Sequence, residues 1–311
     1  MRRRWSAKQA ALYGAMLLAC LLLALASDFT IFGSRIDNYA YDVIYRMFPP
    51  RDWDPSSAVL AVDDPTFQMY KGVGRMRTIL AEGLDAIATA DPAGVAVDVI
   101  LADEGDAAEN ARLAASLGRA KNLSLPVQVI EGKWEYPIPQ FRELAKGLGH
   151  VHPEESTEDG VCRRVPLALV AKGDHLPRDR YFALALEALR LRNGVAPGAA
   201  PAESLRIRYR PGGIPTVSLR ELKERPELIK EFRGRQVFVG ITSLSARRDQ
   251  VASPLGGQVA GVVIHAHAYE TLSGDRQLRD ARPSTVLAVV LAIAVAAGLI
   301  FFLLSGRRSG R

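Results

Sequence analysis

Five aspartates, two arginines, a pair of hydroxyl residues and four of the five histidines are the side chains of this 311-residue chain whose types and spacing could do chemistry. Asp63 and Asp64 close an apolar β-type run, AVLAVD (58–63), and Asp98 lies in a second, GVAVDVIL (94–101). Thr242 and Ser243 follow a third, QVFVG (236–240). As neighbouring parallel strands, these runs would deliver acids and hydroxyls beyond their carboxyl ends, where ligands bind in open α/β sheets. Asp249, beside Arg247 and Arg248, would join them. Such a set either holds a cation, a polyol or an amine, or caps helices and pairs with Arg77 and Arg163 to fix the fold. Asp159-Gly160 is a turn signal with Arg163 and Arg164 just after it, so Asp159 and Arg163 form either a ligand contact or a structural ion pair.

The histidines come as His150-Val151-His152 and His265-Ala266-His267. Two residues apart on a strand share a face and could chelate a metal, whereas on a helix they diverge by about 200°. The second pair falls in a stretch with helical character, so it is not expected to chelate as a unit. His150, His152, His265 and His267 are weak metal candidates, no metal is assigned, and His265 stays in the ligand or switch set. Cys162 has no histidine partner in the sequence and no sign of a reactive thiol. GxxxxGK[ST], HExxH, GxSxG and the dinucleotide fingerprint are missing from the sequence. No cofactor is implied and no enzyme is expected.

Those residues need a scaffold. The apolar runs alternate with amphipathic ones: a short helix over 37–45, a strand over 58–63, a helix over 77–90, a strand over 94–101, a helix from Asp106 to about Ala120, and a strand over 123–130. This β-α-β-α-β order predicts an α/β fold, a largely parallel or mixed sheet flanked by helices. Residues 131–160 are punctuated by Pro and Gly. Beyond them the patterns give strands over 164–171, 204–210 and 236–240, and helices over 181–191, 217–224 and 263–273.

Two apolar runs frame this body. Residues 10–26 are seventeen without a charge, roughly 26 Å as a helix, and residues 286–304 are nineteen, roughly 28 Å. Seven of the 40 basic residues sit in the tails outside these runs, at Arg2, Arg3, Arg4, Lys8, Arg307, Arg308 and Arg311. The remaining 33 face 34 acidic residues, so the formal +6 belongs to the ends and the body is near neutral, which argues against nucleic acid as partner. Basic flanks on both runs place both tails in the cytoplasm, next to lipid headgroups. The expected organisation is a cytoplasmic tail (1–9), a transmembrane helix (10–27), an extracytoplasmic domain (28–283), a transmembrane helix (284–304) and a second tail (305–311). Ala24-Leu25-Ala26 also fits a signal cleavage site, which leaves the body outside either way.

Several stretches are familiar in order as well as kind: VLAVDDPTF (59–67), GRMRTILAEGLDAI (74–87), GVAVDVILADEGDAAENARLAASL (94–117), LGHVHPEESTEDGVCRRVPL (148–167), and FRGRQVFVGITSLSARRDQVASPLGGQVAGVVIHAHAYETLSG (232–274). Taken in that order and between two apolar runs, they resemble the second family of CHASE domains, the extracellular sensing modules associated with bacterial cyclases and histidine kinases. The resemblance implies an α/β domain outside the membrane and a signalling output inside, typically a nucleotide cyclase, a diguanylate cyclase or a protein kinase. Two features depart from the family. An aromatic pair around a proline usually precedes the arginine matching Arg77, and here the stretch is Gly74-Arg75-Met76. The family usually continues into several membrane helices and an output domain, whereas this sequence stops at Arg311. The expectation is an input module that senses an extracytoplasmic ligand as a homodimer and passes a change of shape through its membrane helices to a cytoplasmic partner. An anchored metal-assisted hydrolase and a non-switching binding scaffold are the rival readings.

Overall fold

A computed structural model describes residues 7–27, 30–155, 159–170, 180–194, 204–245 and 250–307. Helix α1 (Ala7–Ser27) is followed by α2 (Ile31–Met47). Strand β1 (Ser57–Val62) leads to α3 (Asp64–Met69) and α4 (Met76–Ala88), and β2 (Gly94–Asp98) to α5 (Ala107–Arg119). Next come β3 (Ser124–Ile130), β4 (Lys133–Glu135), α6 (Pro139–Arg142) and β5 (Gly147–His150). β6 (Glu154–Glu155), β7 (Cys162–Pro166) and β8 (Ala168–Val170) precede β9 (Arg180–Ala183) and α7 (Leu184–Asn193). β10 (Ser204–Arg206), β11 (Thr216–Ser218) and α8 (Leu219–Glu224) lead to β12 (Gln236–Ile241). The chain closes with β13 (Gln250–Ala252), β14 (Gln258–Ala260), α9 (Gly261–Ser273) and α10 (Pro283–Arg307).

Among the described residues the central sheet has nine strands in the order β11-β1-β12-β2-β3-β5-β9-β8, with β4 attached to β3. Pairing is parallel from β11 through to β9 and antiparallel at β8 and β4. The sheet is therefore mixed and mainly parallel, as the alternating pattern predicts. Every residue of β1 is buried, as befits a strand covered on both faces. On one face Leu60, Val62, Val95, Val97, Val237 and Val239 pack with Leu80 and Leu84 of α4 and Leu113 and Leu117 of α5. The alternate residues of β12 turn to the other face, where Phe238 meets Tyr269 of α9 edge-on at 5.7 Å. α7 and α9 cover that face. They lie close against it. A Cβ on Gly149 would stand 2.5 Å from Leu184 Cα, and one on Gly240 would stand 2.7 Å from Val262 Cβ.

Several predicted boundaries move. The helix expected over 37–45 runs from Ile31 to Met47. The strand expected over 164–171 is cut in two at Pro166-Leu167, because proline has no N–H to give a ladder. Residues 181–183, expected as the start of a helix, are strand, and α7 begins at Leu184. Val217-Ser218 is strand as well. The helix starts after Ser218, whose hydroxyl accepts from Glu221 N while Glu221 returns the bond, a capping box. Within 131–160 the chain makes β4, α6 and the central strand β5.

Contacts divide the chain into two units. One holds α1, α2 as far as Val43, and α10; the other is Ile44–Leu278. In the first, α1 and α10 pack against each other, and Leu17 Cδ1 lies 3.6 Å from the Cβ position of Gly298. Among the described residues one helix is long and apolar enough to cross a membrane, in the stretch Pro283–Ile300, none of it buried. The apolar part of α1, Ala11–Leu23, is shorter than a full span, so the expected pair of spanning helices reduces to one clear candidate and one short one.

Candidate functional site

The parallel strands bring their carboxyl ends to one edge, and the predicted site residues do collect there, in two groups. Asp63 leaves β1 and caps α3, accepting from Thr66 N at 2.9 Å and Thr66 Oγ1 at 2.6 Å. Asp64, the first residue of α3, takes the hydroxyl of Ser243 at 2.5 Å and the backbone N–H of Leu244 at 3.0 Å. The Ser243 hydroxyl, with that of Ser245 and the Leu244 N–H, holds the Asp64 carboxyl below its usual range. Thr242 N donates to Val62 O at 3.0 Å, so the turn after β12 is stitched to the end of β1. Asp98 ends β2 on the other side of β12 and stands 3.9 Å from His265 Nε2. Adjacent strands are about 4.8 Å apart, so the intervening β12 keeps Asp98 from converging with Asp63 and Asp64.

Arg77 joins neither group. Its Nε donates to Asn110 Oδ1 at 2.6 Å and its Nη2 to the carbonyl of Asp103, which ties α4 to the loop before α5. Gly105 has φ +60°, and a Cβ there would lie 2.4 Å from Arg77 Cζ, so the loop closes over the guanidinium. The expectation that these acids pair with Arg77 is thus corrected. Asp159 and Arg163 make a two-pronged ion pair, with Nη1 to Oδ1 at 3.0 Å and Nη2 to Oδ2 at 2.7 Å, and the buried arginine favours the structural reading. Asp249 lies outside the described residues.

The histidines behave as helix and strand geometry requires. His265 and His267 leave α9 in different directions. His265 faces Asp98, and His267 accepts from Arg210 N at 3.2 Å and packs on the Tyr209 ring at 4.9 Å. His150 ends β5 fully buried; its Nδ1 lies 3.4 Å from His152 N, and His152 Nε2 accepts from Val129 N at 2.6 Å. Burial keeps all three inner imidazoles neutral, with pKa pushed down to about 3 for His150, about 4 for His265 and about 3 for His267. His265 and His152 add like charge against protonation of His150. Among the described residues no three His, Cys, Asp or Glu side chains are placed to hold a metal ion. Cys162 is buried with its thiol directed at Arg164 O, at 3.3 Å.

At the opposite edge the structure gathers residues that no sequence pattern links. Glu270, in the last turn of α9, is buried, and both its oxygens are taken. Ser56 and Ser57 donate to Oε1 at 3.1 and 2.8 Å, and Trp53 Nε1 donates to Oε2 at 2.9 Å. Arg276, just past α9, stacks on the Trp53 ring at 4.7 Å and donates to Glu270 O at 3.1 Å. Residues 53–57 enter the domain from α2 and residues 274–278 leave it toward α10, so both segments are clasped on Glu270, the inbound one by its carboxylate and the outbound one by its backbone carbonyl.

Compared with known protein families, the sequence matches the CHASE2 domain over residues 15–306. The chain belongs to the CHASE2 family. CHASE2 domains are extracellular sensory domains of membrane proteins, which agrees with a sensory, non-catalytic role. Comparison with curated proteins and comparison with solved structures each returned no match. The CHASE2 match spans both edges of the sheet. The clasp residues Trp53, Glu270 and Arg276 do not stand out in the sequence because Trp53 lies more than two hundred residues from both of the others. A glutamate at an otherwise apolar helix position was the one available signal.

Proposed function

We propose that this chain is the extracytoplasmic input module of a transmembrane signalling system. The domain faces the periplasm or cell exterior, α1 and α10 anchor it in lipid, and the module works as a homodimer. A ligand favouring one of two arrangements shifts their populations, and the helices carry the difference to a cyclase, diguanylate cyclase or kinase partner. The observation that carries this reading is the Glu270 clasp. A rearrangement at Glu270, whose carboxylate holds the inbound segment and whose carbonyl holds the outbound one, alters the register between the segments that run to the two apolar helices. A displacement of an ångström or two is enough for such a relay.

The test is a reporter cyclase fused after Leu304, with Trp53→Phe as the decisive variant. The substitution removes the Nε1–H donor to Glu270 and keeps a ring beneath Arg276. The reporter's basal output is expected to change several-fold while the melting temperature moves by only a few degrees. An output identical to the parent under every condition would favour a passive scaffold.

A further inference from the structure

The clasp forms one wall of an open cleft of about 280 Å³ at the amino-terminal edge of the sheet. Its lining comes from four segments: Asp54 and Ser56 inbound, Arg192 and Asn193 at the end of α7, Glu270 and Ser273 at the end of α9, and Arg276 outbound. Most of the groups that face it are polar, with Leu189 and Tyr269 beside them. A guanidinium has five N–H donors. Arg192 gives one to the hydroxyl of Tyr269, at 2.8 Å, and Arg276 gives one to Glu270 O, so both retain donors for a guest. Three donors occupy the Glu270 carboxylate, and Asp54 is exposed, 3.8 Å from Arg235. Two arginines therefore face two acids in the lining, and the draw on an oxyanion comes from the free N–H donors of Arg192 and Arg276 rather than from a net charge. Arginine pairs with planar oxyanions by parallel N–H···O bonds, and Asn193 and Ser273 add neutral hydrogen-bonding groups beside them.

We propose that this cleft binds a small hydroxylated monocarboxylate, with its carboxylate between Arg192 and Arg276 and its hydroxyls on Asn193 and Ser273. The assignment rests on the sensor reading and names the ligand class for it. Because Arg276 belongs to the outbound segment and covers Trp53 of the inbound one, a guest here competes for the contact that joins them.

Isothermal titration of the full chain in detergent tests it, with glycerate, lactate and gluconate as probes and glycerol and inorganic phosphate as comparators. Saturable binding is expected for at least one of the three carboxylates and not for glycerol, and Arg192→Gln should weaken it by at least about tenfold. Arg192 is exposed at the end of α7, so this variant keeps its fold even where Arg276→Gln does not. Three results would overturn the assignment: no saturable binding of any carboxylate, phosphate bound as tightly as the best of them, or affinity unchanged in Arg192→Gln. The titration needs no output domain. A negative result therefore removes the ligand assignment alone, and the fused reporter continues to decide the sensor reading.

Discussion

At the residue scale the buried histidines make the domain acid-sensitive. His150, His265 and His267 have folded-state pKa values of about 3, 4 and 3, against 6.5 for a free imidazole. Above pH 6.5 folded and unfolded chains are both neutral at these positions and the full stability is present. Below it the unfolded chain takes up protons that the folded chain refuses, at about 1.4 kcal/mol per pH unit for each histidine, until the folded pKa is reached. The melting temperature should therefore fall between pH 7 and pH 5, and His265→Asn should flatten that slope. The carboxylates with lowered pKa, Asp64, Glu82 and Asp85, lose their contribution only at more acid pH. A melting temperature constant from pH 7 to pH 5 would mean these imidazoles are not buried neutral. Glu270→Ala strands three donors at once and should cost at least about 3 kcal/mol in denaturant melts. The histidine pairs could be read from sequence because HxH is a local pattern. Glu270 could not, because everything that makes it important arrives from Trp53, Ser56 and Ser57 through the fold.

At the element scale, legibility followed hydrophobic period and failed where glycine carried the design. β1, β2, β3 and β12 are apolar enough to stand out, and α4 and α5 have clean amphipathic periods. β5 reads Gly-Leu-Gly-His, half of it glycine and none of it β-branched, yet it is a parallel strand between β3 and β9. Its glycine is there for proximity: α7 packs so near that Leu184 Cα occupies the space a side chain at 149 would need. Backbone cannot give way as a flexible side chain would. Gly149→Ala should therefore destabilise the domain by about 3 kcal/mol in urea titrations. Gly83→Ala is the control. The atom it meets is Leu60 Cδ2, the end of a side chain that can turn aside, and its cost should be smaller.

At the scale of the whole molecule the proposed placement rests on charge and apolar length. The body is near neutral, the basic excess is confined to the tails, and α10 carries a fully unburied apolar stretch long enough for a bilayer core. α1 is less decisive, since its apolar part is short, and the positive-inside bias makes the two helices agree only if both cross. Topology can be measured directly. In a Cys20→Ser background Cys162 is buried, so a cysteine introduced at exposed Glu104 or Glu224 gives the label one accessible target. A membrane-impermeant maleimide added to intact cells with a permeable outer layer should modify both positions. Labelling only after lysis would put the sheet and its two edges in the cytoplasm, where neither the clasp nor the cleft could meet an external ligand. Cleavage after Ala26 would leave the same labelling pattern but remove α1. Mass of the mature chain separates the cases, and relay through a pair of helices requires the uncleaved one.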